Sequence, residues 1–154
     1  MTTNSIRLLH VEDDRIQQAV IRRKLASLHD YLFDIAVAAS EDEAVALFRG
    51  GGFALVILDY QLSQGDGVSC LRRLRQIDPI VPIITVSAVA SGEIAAVLIS
   101  AGADDYLAKQ TLDTKVLGQS VRNVMTRAKA FRARFATPEH YLAARLTSRQ
   151  AEVS

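Results

Sequence analysis

A chain of 154 residues with 49% hydrophobic content can bury one core and holds one domain with a tail. Its longest apolar runs fall far short of the roughly 18 residues of a membrane span, and Met1-Thr2-Thr3-Asn4-Ser5 lacks the charged-then-apolar pattern of an export signal. The single cysteine, Cys70, excludes an intrachain disulfide and fits a reducing cytoplasm, so a cytoplasmic protein without a membrane span is expected; the net charge is +1.

The first apolar run, 6–11, reads as a strand that runs into Glu12-Asp13-Asp14. His10 lies inside it and is expected to pack beside the core. A helical pattern follows at about 15–28, then a strand at 32–37. Ser40 followed by Glu43 has the spacing of a capping box and starts a helix at 40–49. Gly50-Gly51-Gly52 is a turn, because no Lys-Ser/Thr pair follows it as in a phosphate-binding loop.

Phe53-Ala54-Leu55-Val56-Ile57-Leu58 is a continuous apolar run, the pattern of a parallel strand buried on both faces. It ends at Asp59 and opens the stretch Asp59-Tyr60-Gln61-Leu62-Ser63-Gln64-Gly65-Asp66-Gly67. In the helix expected at 66–76, Cys70 lies among Val68, Leu71 and Leu74 and reads as a small buried hydrophobe. Pro79 and Pro82 bracket the entry to a strand at 81–87, which ends at Ser87. A helix at 91–101 stops at Gly102, and a strand at 104–108 delivers Lys109. Val116, Leu117, Val121, Val124 and Met125 keep a helical period in a long last helix, 113–135.

Five strands alternating with five helices imply an α/β fold with a parallel sheet and right-handed crossovers. The first and third strands become neighbours at a topological switch point, which brings Glu12, Asp13 and Asp59 together. An Asp after a strand is, taken alone, a turn or cap residue. That reading does not explain acids, a hydroxyl and a lysine recurring at successive strand ends. Three close carboxylates repel one another unless a cation neutralises them. Mg²⁺ suits such a place, because it accepts one or two carboxylates and leaves room for a phosphate. Asp59 could then act as a nucleophile, with the metal, Lys109 and a hydroxyl steadying the transferring phosphoryl group.

Residues 5–130 resemble the receiver domain of a two-component response regulator, the CheY-like family. The resemblance rests on Leu8-Leu9-His10-Val11-Glu12-Asp13-Asp14, Leu55-Val56-Ile57-Leu58-Asp59-Tyr60-Gln61-Leu62, Pro82-Ile83-Ile84-Thr85-Val86-Ser87-Ala88 and Gly102-Ala103-Asp104-Asp105-Tyr106-Leu107-Ala108-Lys109. It implies a flavodoxin-like three-layer sandwich whose five-stranded parallel sheet runs in the order 2-1-3-4-5. It implies that Asp59 accepts phosphate from a histidine kinase or histidine phosphotransfer protein. Asp13, Asp59 and the main-chain carbonyl of Gln61 would bind Mg²⁺ directly, with Glu12 acting mainly through water. Ser87 would hydrogen-bond the phosphoryl oxygen and Lys109 would pair with the phosphoryl group. Ser87 and Tyr106 would form the switch that alters the face of the fourth helix, fifth strand and fifth helix. Homodimerisation through that face is one output the resemblance allows.

Two positions depart from the family pattern. Gln110 follows Lys109 where the family frequently has proline in a cis peptide, so there is less reason for a cis bond here. Ser63 stands where a proline is usual, which loosens the loop after Asp59. A second class, the metal-dependent phosphohydrolases of similar architecture, uses a second acid two residues after the nucleophile. Gln61 occupies that position and cannot do proton transfer like a carboxyl group. Self-phosphorylation and dephosphorylation at Asp59, rather than turnover of a substrate, are therefore expected.

The charge is unevenly spread. Residues 1–114 hold ten Lys/Arg and fifteen Asp/Glu, a net of −5, while 115–154 hold eight and two, a net of +6. Most such segments are the solvated face of a helix. Residues 131–154 read as a helical extension or linker. Thr137-Pro138-Glu139 stops one helix and caps another. Arg145-Leu146-Thr147-Ser148-Arg149-Gln150-Ala151-Glu152-Val153 resembles the opening of a LuxR-type helix-turn-helix domain, which points to transcription control. Receivers placed before PAS, diguanylate cyclase or kinase modules, and receivers that stand alone, are the competing resemblance. No complete helix-turn-helix fits after Thr147, so no specific DNA binding by these 154 residues is expected.

Overall fold

The computed structural model describes residues 4–63, 66–89 and 91–134. The segments 137–139 and 145–153 discussed above lie outside them. In chain order the elements are β1 (Asn4–Val11), α1 (Arg15–Ala26), β2 (Tyr31–Ala38), α2 (Glu41–Arg49), β3 (Leu55–Asp59), α3 (Gly67–Ile77), β4 (Ile83–Ser87), α4 (Gly92–Ala101), β5 (Asp105–Ala108) and α5 (Thr114–Arg134), with a 3₁₀ turn at Lys109–Thr111. The sheet is parallel throughout and runs β2-β1-β3-β4-β5. The chain reverses its direction of winding between β1 and β3, as the sequence pattern requires.

Strand alternation sorts the core into two layers. Leu9 and Val11 of β1, with Val56 and Leu58 of β3, face a layer completed by α2, α3 and α4. Ile6 and Leu8, with Leu55 and Ile57, face a second layer completed by α1 and α5. Every residue of β3 and β4 is buried, which is why both read as unbroken apolar runs rather than as alternation.

Short polar side chains start the helices by accepting otherwise unpaired backbone N–H groups. Asp14 Oδ1 accepts from Ile16 (2.8 Å) and Gln17 (3.2 Å), Asp66 from Ser69 (2.8 Å), and Asp113 from Val116 (2.7 Å). Ser40 Oγ accepts from Glu43 N–H at 3.1 Å, and the Glu43 carboxylate reaches back to Ala39 N–H, one residue earlier than a standard capping box. α4 ends at Gly102 with φ of 121°, a backbone state that a side chain would strain.

Several boundaries differ from the sequence expectation. β3 begins at Leu55, not 53, because Phe53 turns aside to stack on Phe48 beneath the Arg7 guanidinium, 4.4 Å from its ring centroid. β4 begins at Ile83, not 81. Pro82 has no N–H for the ladder, although its carbonyl accepts Val56 N–H at 2.9 Å. α1 closes at Ala26, two residues early, where Ser27 and Leu28 N–H turn back to Lys24 and Leu25 carbonyls.

At the N-terminal edge of the sheet Arg75 ties α3 to the strands. Its guanidinium donates to the carbonyls of Gly102 (2.9 Å) and Val81 (2.6 Å) and to Asp104 Oδ2 (2.8 Å). The same Asp104 oxygen accepts Ile83 N–H at 2.8 Å.

Candidate functional site

Three loops meet at the C-terminal edge of the sheet. β1 delivers Glu12, whose N–H still bonds Ala38 O at 2.9 Å, and Asp13 follows in the turn before α1. Asp14 is spent as the α1 cap, so two of the three consecutive acids face the site. β3 delivers Asp59, and the 3₁₀ turn after β5 delivers Lys109.

Glu12, Asp13 and Asp59 each present a carboxylate oxygen within 4.8 Å of the others. Lys109 Nζ donates to Glu12 Oε1 at 3.0 Å and to Asp59 Oδ2 at 3.1 Å. The Glu12 and Asp59 side chains are 2% and 3% exposed, while that of Lys109 is 20% exposed. The other Asp59 oxygen accepts Gln61 N–H at 3.1 Å, which sets the start of the β3–α3 loop. Asp13 Oδ2 accepts Ser63 N–H at 2.8 Å from the same loop. Gln18 Nε2 donates to the Glu12 carbonyl at 2.6 Å.

The electrostatics follow from crowding. Burial first, and then the neighbouring Asp59, push Glu12 up from 4.5 to about 7, against the pull of Lys109. Burial works against the Lys109 charge, but its bonds to Glu12 and Asp59 outweigh that and raise its pKa above the ordinary value. Ser63 holds the Asp13 carboxyl below the usual range. His10 is 1% exposed, and its Nε2 has no hydrogen-bond partner among the described residues. Burial, then the charges of Lys109 and Arg22, lower it to about 4.

One lysine against three acids leaves anionic charge uncompensated, and all the offered ligands are hard oxygens. The residues present therefore fit Mg²⁺, which prefers carboxylates and water.

Ser87 is placed differently. It is fully buried at the end of β4, and its hydroxyl donates to Val89 O (3.2 Å) and accepts from Val89 N–H (3.0 Å). Among the described residues no hydrogen bond joins it to Asp59 or Lys109. The Tyr106 hydroxyl, from β5, also donates to Val89 O. Gln110 sends its side-chain amide to Ala88 O, so the residue that stands in place of proline clasps the β4–α4 loop. Among the described residues there is no cis peptide bond. Thus Glu12, Asp13, Asp59 and Lys109 form one cluster, with Ser87 and Tyr106 gathered on the adjacent loop.

Sequence reasoning did not find the Ser63 amide or the Gln110 side chain as site neighbours. Both were noted only as missing prolines. For Ser63 the signal is a main-chain N–H whose acceptor lies 50 residues away, and for Gln110 a side-chain amide whose acceptor lies 22 residues away.

The family model described as "Response regulator receiver domain" matches residues 8–122. The transcriptional regulatory protein ZraR of Salmonella typhimurium is 32% identical over 109 residues, covering 71% of this chain and 24% of that protein. The transcriptional regulatory protein TrcR of Mycobacterium tuberculosis is 33% identical over 104 residues, covering 68% and 39%. The chain therefore spans well under half the length of either regulator. Among solved structures, a LuxR-family two-component response regulator from Aurantimonas sp. is 25% identical with a TM-score of 0.73, covering 80% of this chain and 86% of that one. A CheY-like receiver domain protein from Methanospirillum hungatei shares the fold, with a TM-score of 0.71 at 23% identity over 84% and 98% of the two chains. With its strand order, its acid cluster and its lysine accounted for, the chain belongs to the response regulator receiver domain family of two-component signalling.

Proposed function

We propose that Asp59 is the phosphoacceptor and that Glu12, Asp13, Asp59 and the Gln61 carbonyl hold Mg²⁺, Glu12 mainly through water. The observation that carries this reading is the position of Asp59, buried at the end of the central strand with Lys109 3.1 Å away and two further acids beside it. An Asp59 carboxylate oxygen attacks the phosphorus of a phosphohistidine. A P–O bond forms, the P–N bond breaks, and the imidazole leaves with the electron pair. A bound Mg²⁺ supplies charge neutralisation for the phosphoryl oxygens. Lys109, already paired with Asp59, transfers its bond to the phosphoryl group as charge moves there. The donor is a histidine kinase or histidine phosphotransfer protein.

Ser87 and Tyr106 carry the response. The Ser87 hydroxyl leaves Val89 for a phosphoryl oxygen, which loosens the β4–α4 loop that Tyr106 also holds through Val89 O. The response is a population shift between two arrangements of the β4–α4 loop, felt on α4, β5 and α5. Control of transcription is the output we favour, in line with the names of ZraR and TrcR, acting through partner binding or homodimerisation on that face. Among the described residues no helix is long and apolar enough to cross a membrane.

Incubation with acetyl phosphate and Mg²⁺ should add one acid-labile phosphoryl group. Asp59→Asn should take up none, and Asp13→Ala or omission of Mg²⁺ should suppress labelling strongly. Equal labelling of Asp59→Asn would sink the assignment. Beryllofluoride should shift NMR signals across residues 87–120, whereas shifts confined to the loops around Asp59 would remove that face as the output.

A further inference from the structure

Lys109 holds Glu12 and Asp59 but makes no hydrogen bond to Asp13, the most exposed acid of the cluster. Like charges this close swing apart unless each is held. The donors that reach Asp13 come from Ser63, its N–H at 2.8 Å and its hydroxyl, in a loop 50 residues away in sequence. That loop also carries Gln61, whose N–H fixes Asp59 Oδ1 at 3.1 Å. Two amides of one loop therefore hold two of the three acids. We infer that Ser63 is a positioning residue for the cation, its main-chain N–H pre-setting the Asp13 carboxylate, a device available only because residue 63 is not proline. This rests on the reading of Glu12, Asp13 and Asp59 as the metal corner.

The geometry favours positioning over competition for the same oxygen. A carboxylate offers about four lone-pair positions, so one donated bond leaves room for an ion. Groups that orient a metal ligand from behind change affinity by about 10–100-fold when removed. Ser63→Pro deletes both the N–H and the hydroxyl. Ser63→Ala deletes the hydroxyl and keeps the N–H.

The test is Mn²⁺ binding to the whole chain, read as free Mn²⁺ by electron paramagnetic resonance, with no phosphodonor present. Ser63→Pro, which loses both donors, should bind about tenfold more weakly than wild type, and Ser63→Ala, which keeps the N–H, should fall between the two. In an Asp13→Ala background Ser63→Pro should have no further effect, because the cycle then lacks the coupled partner. Equal or tighter Mn²⁺ binding by Ser63→Pro would overturn the inference, and so would a full-sized effect that persists without Asp13. Failure of the phosphoacceptor reading is recognised separately, by absence of acetyl phosphate labelling in the wild type while the Ser63 effect on Mn²⁺ remains.

Discussion

Both edges of the sheet bury charge, and they do so to opposite effect. At the N-terminal edge, Arg75 meets one acid and three carbonyls, and Asp104 also accepts a strand N–H. Every partner is supplied by the protein, so the group is a structural staple. At the C-terminal edge one lysine serves two acids, a third stands beside them, and Glu12 is pushed up to about 7. That edge could hold a cation among Glu12, Asp13 and Asp59. Satisfied buried charge fixes a fold, whereas under-compensated buried charge makes a binding site at the expense of stability.

The sharpest way to break this contrast is to remove Arg75. Arg75→Ala should lower the urea-unfolding free energy by about 3 kcal/mol, because Asp104 loses its cationic partner and the carbonyls around it lose a charged donor. Lys109→Ala should be milder, since Glu12 can take up a proton instead. A larger loss for Lys109→Ala would reverse the assignment of staple and site.

Acid titration without divalent cations separates two groups near the site. His10 is at about 4 in the folded chain and 6.5 when unfolded, so its contribution is intact above 6.5 and is lost as pH falls toward 4, by about 3 kcal/mol. Glu12 works the other way, with a folded value of about 7 above the unfolded 4.5. Its burden is present above 7 and relieved as pH falls to 4.5. Wild-type stability should therefore change little across this window on account of this pair. His10→Leu should gain stability relative to wild type as pH falls, and Glu12→Gln should lose it. Parallel profiles for all three proteins would refute the opposition.

The smallest expected effect is the most diagnostic of strain. Asp59→Asn removes one charge from the crowded acids and should raise metal-free stability by about 1 kcal/mol. Mg²⁺ should then raise the melting temperature less than it does in the wild type. A destabilised Asp59→Asn would mean that Lys109 already balances the cluster.

The sheet was legible because β3 and β4 are buried on both faces and each ends in a chemical residue, Asp59 and Ser87. The strand and helix alternation alone puts Glu12, Asp13 and Asp59 together. Less legible were features that depend on backbone direction across long separations. Ser63 N–H meets Asp13, and Gln110 meets Ala88, through loop paths that no local pattern records. The Ser87 hydroxyl engages Val89, a local bond that competes with the site and leaves no trace in spacing. The Arg75 staple is not legible, because one of three arginines on α3 reads as a solvated residue like its neighbours until the carbonyls around it are seen.

Gly67 opens α3 directly against the end of β3. A Cβ there would lie 2.6 Å from Tyr60 Cα and 2.9 Å from its carbonyl oxygen, both main-chain atoms with no freedom to move aside. Gly67 N–H also donates to that carbonyl at 2.9 Å. The loop between them, which carries Gln61 and Ser63, is thus a closed ring pinned at its neck. Even one methyl group at position 67 would open the neck and let both amides drift from the acids they hold. In a scan of variants this glycine would score as a signalling position, although it lies outside the acid cluster and has no side chain with which to touch a phosphoryl group.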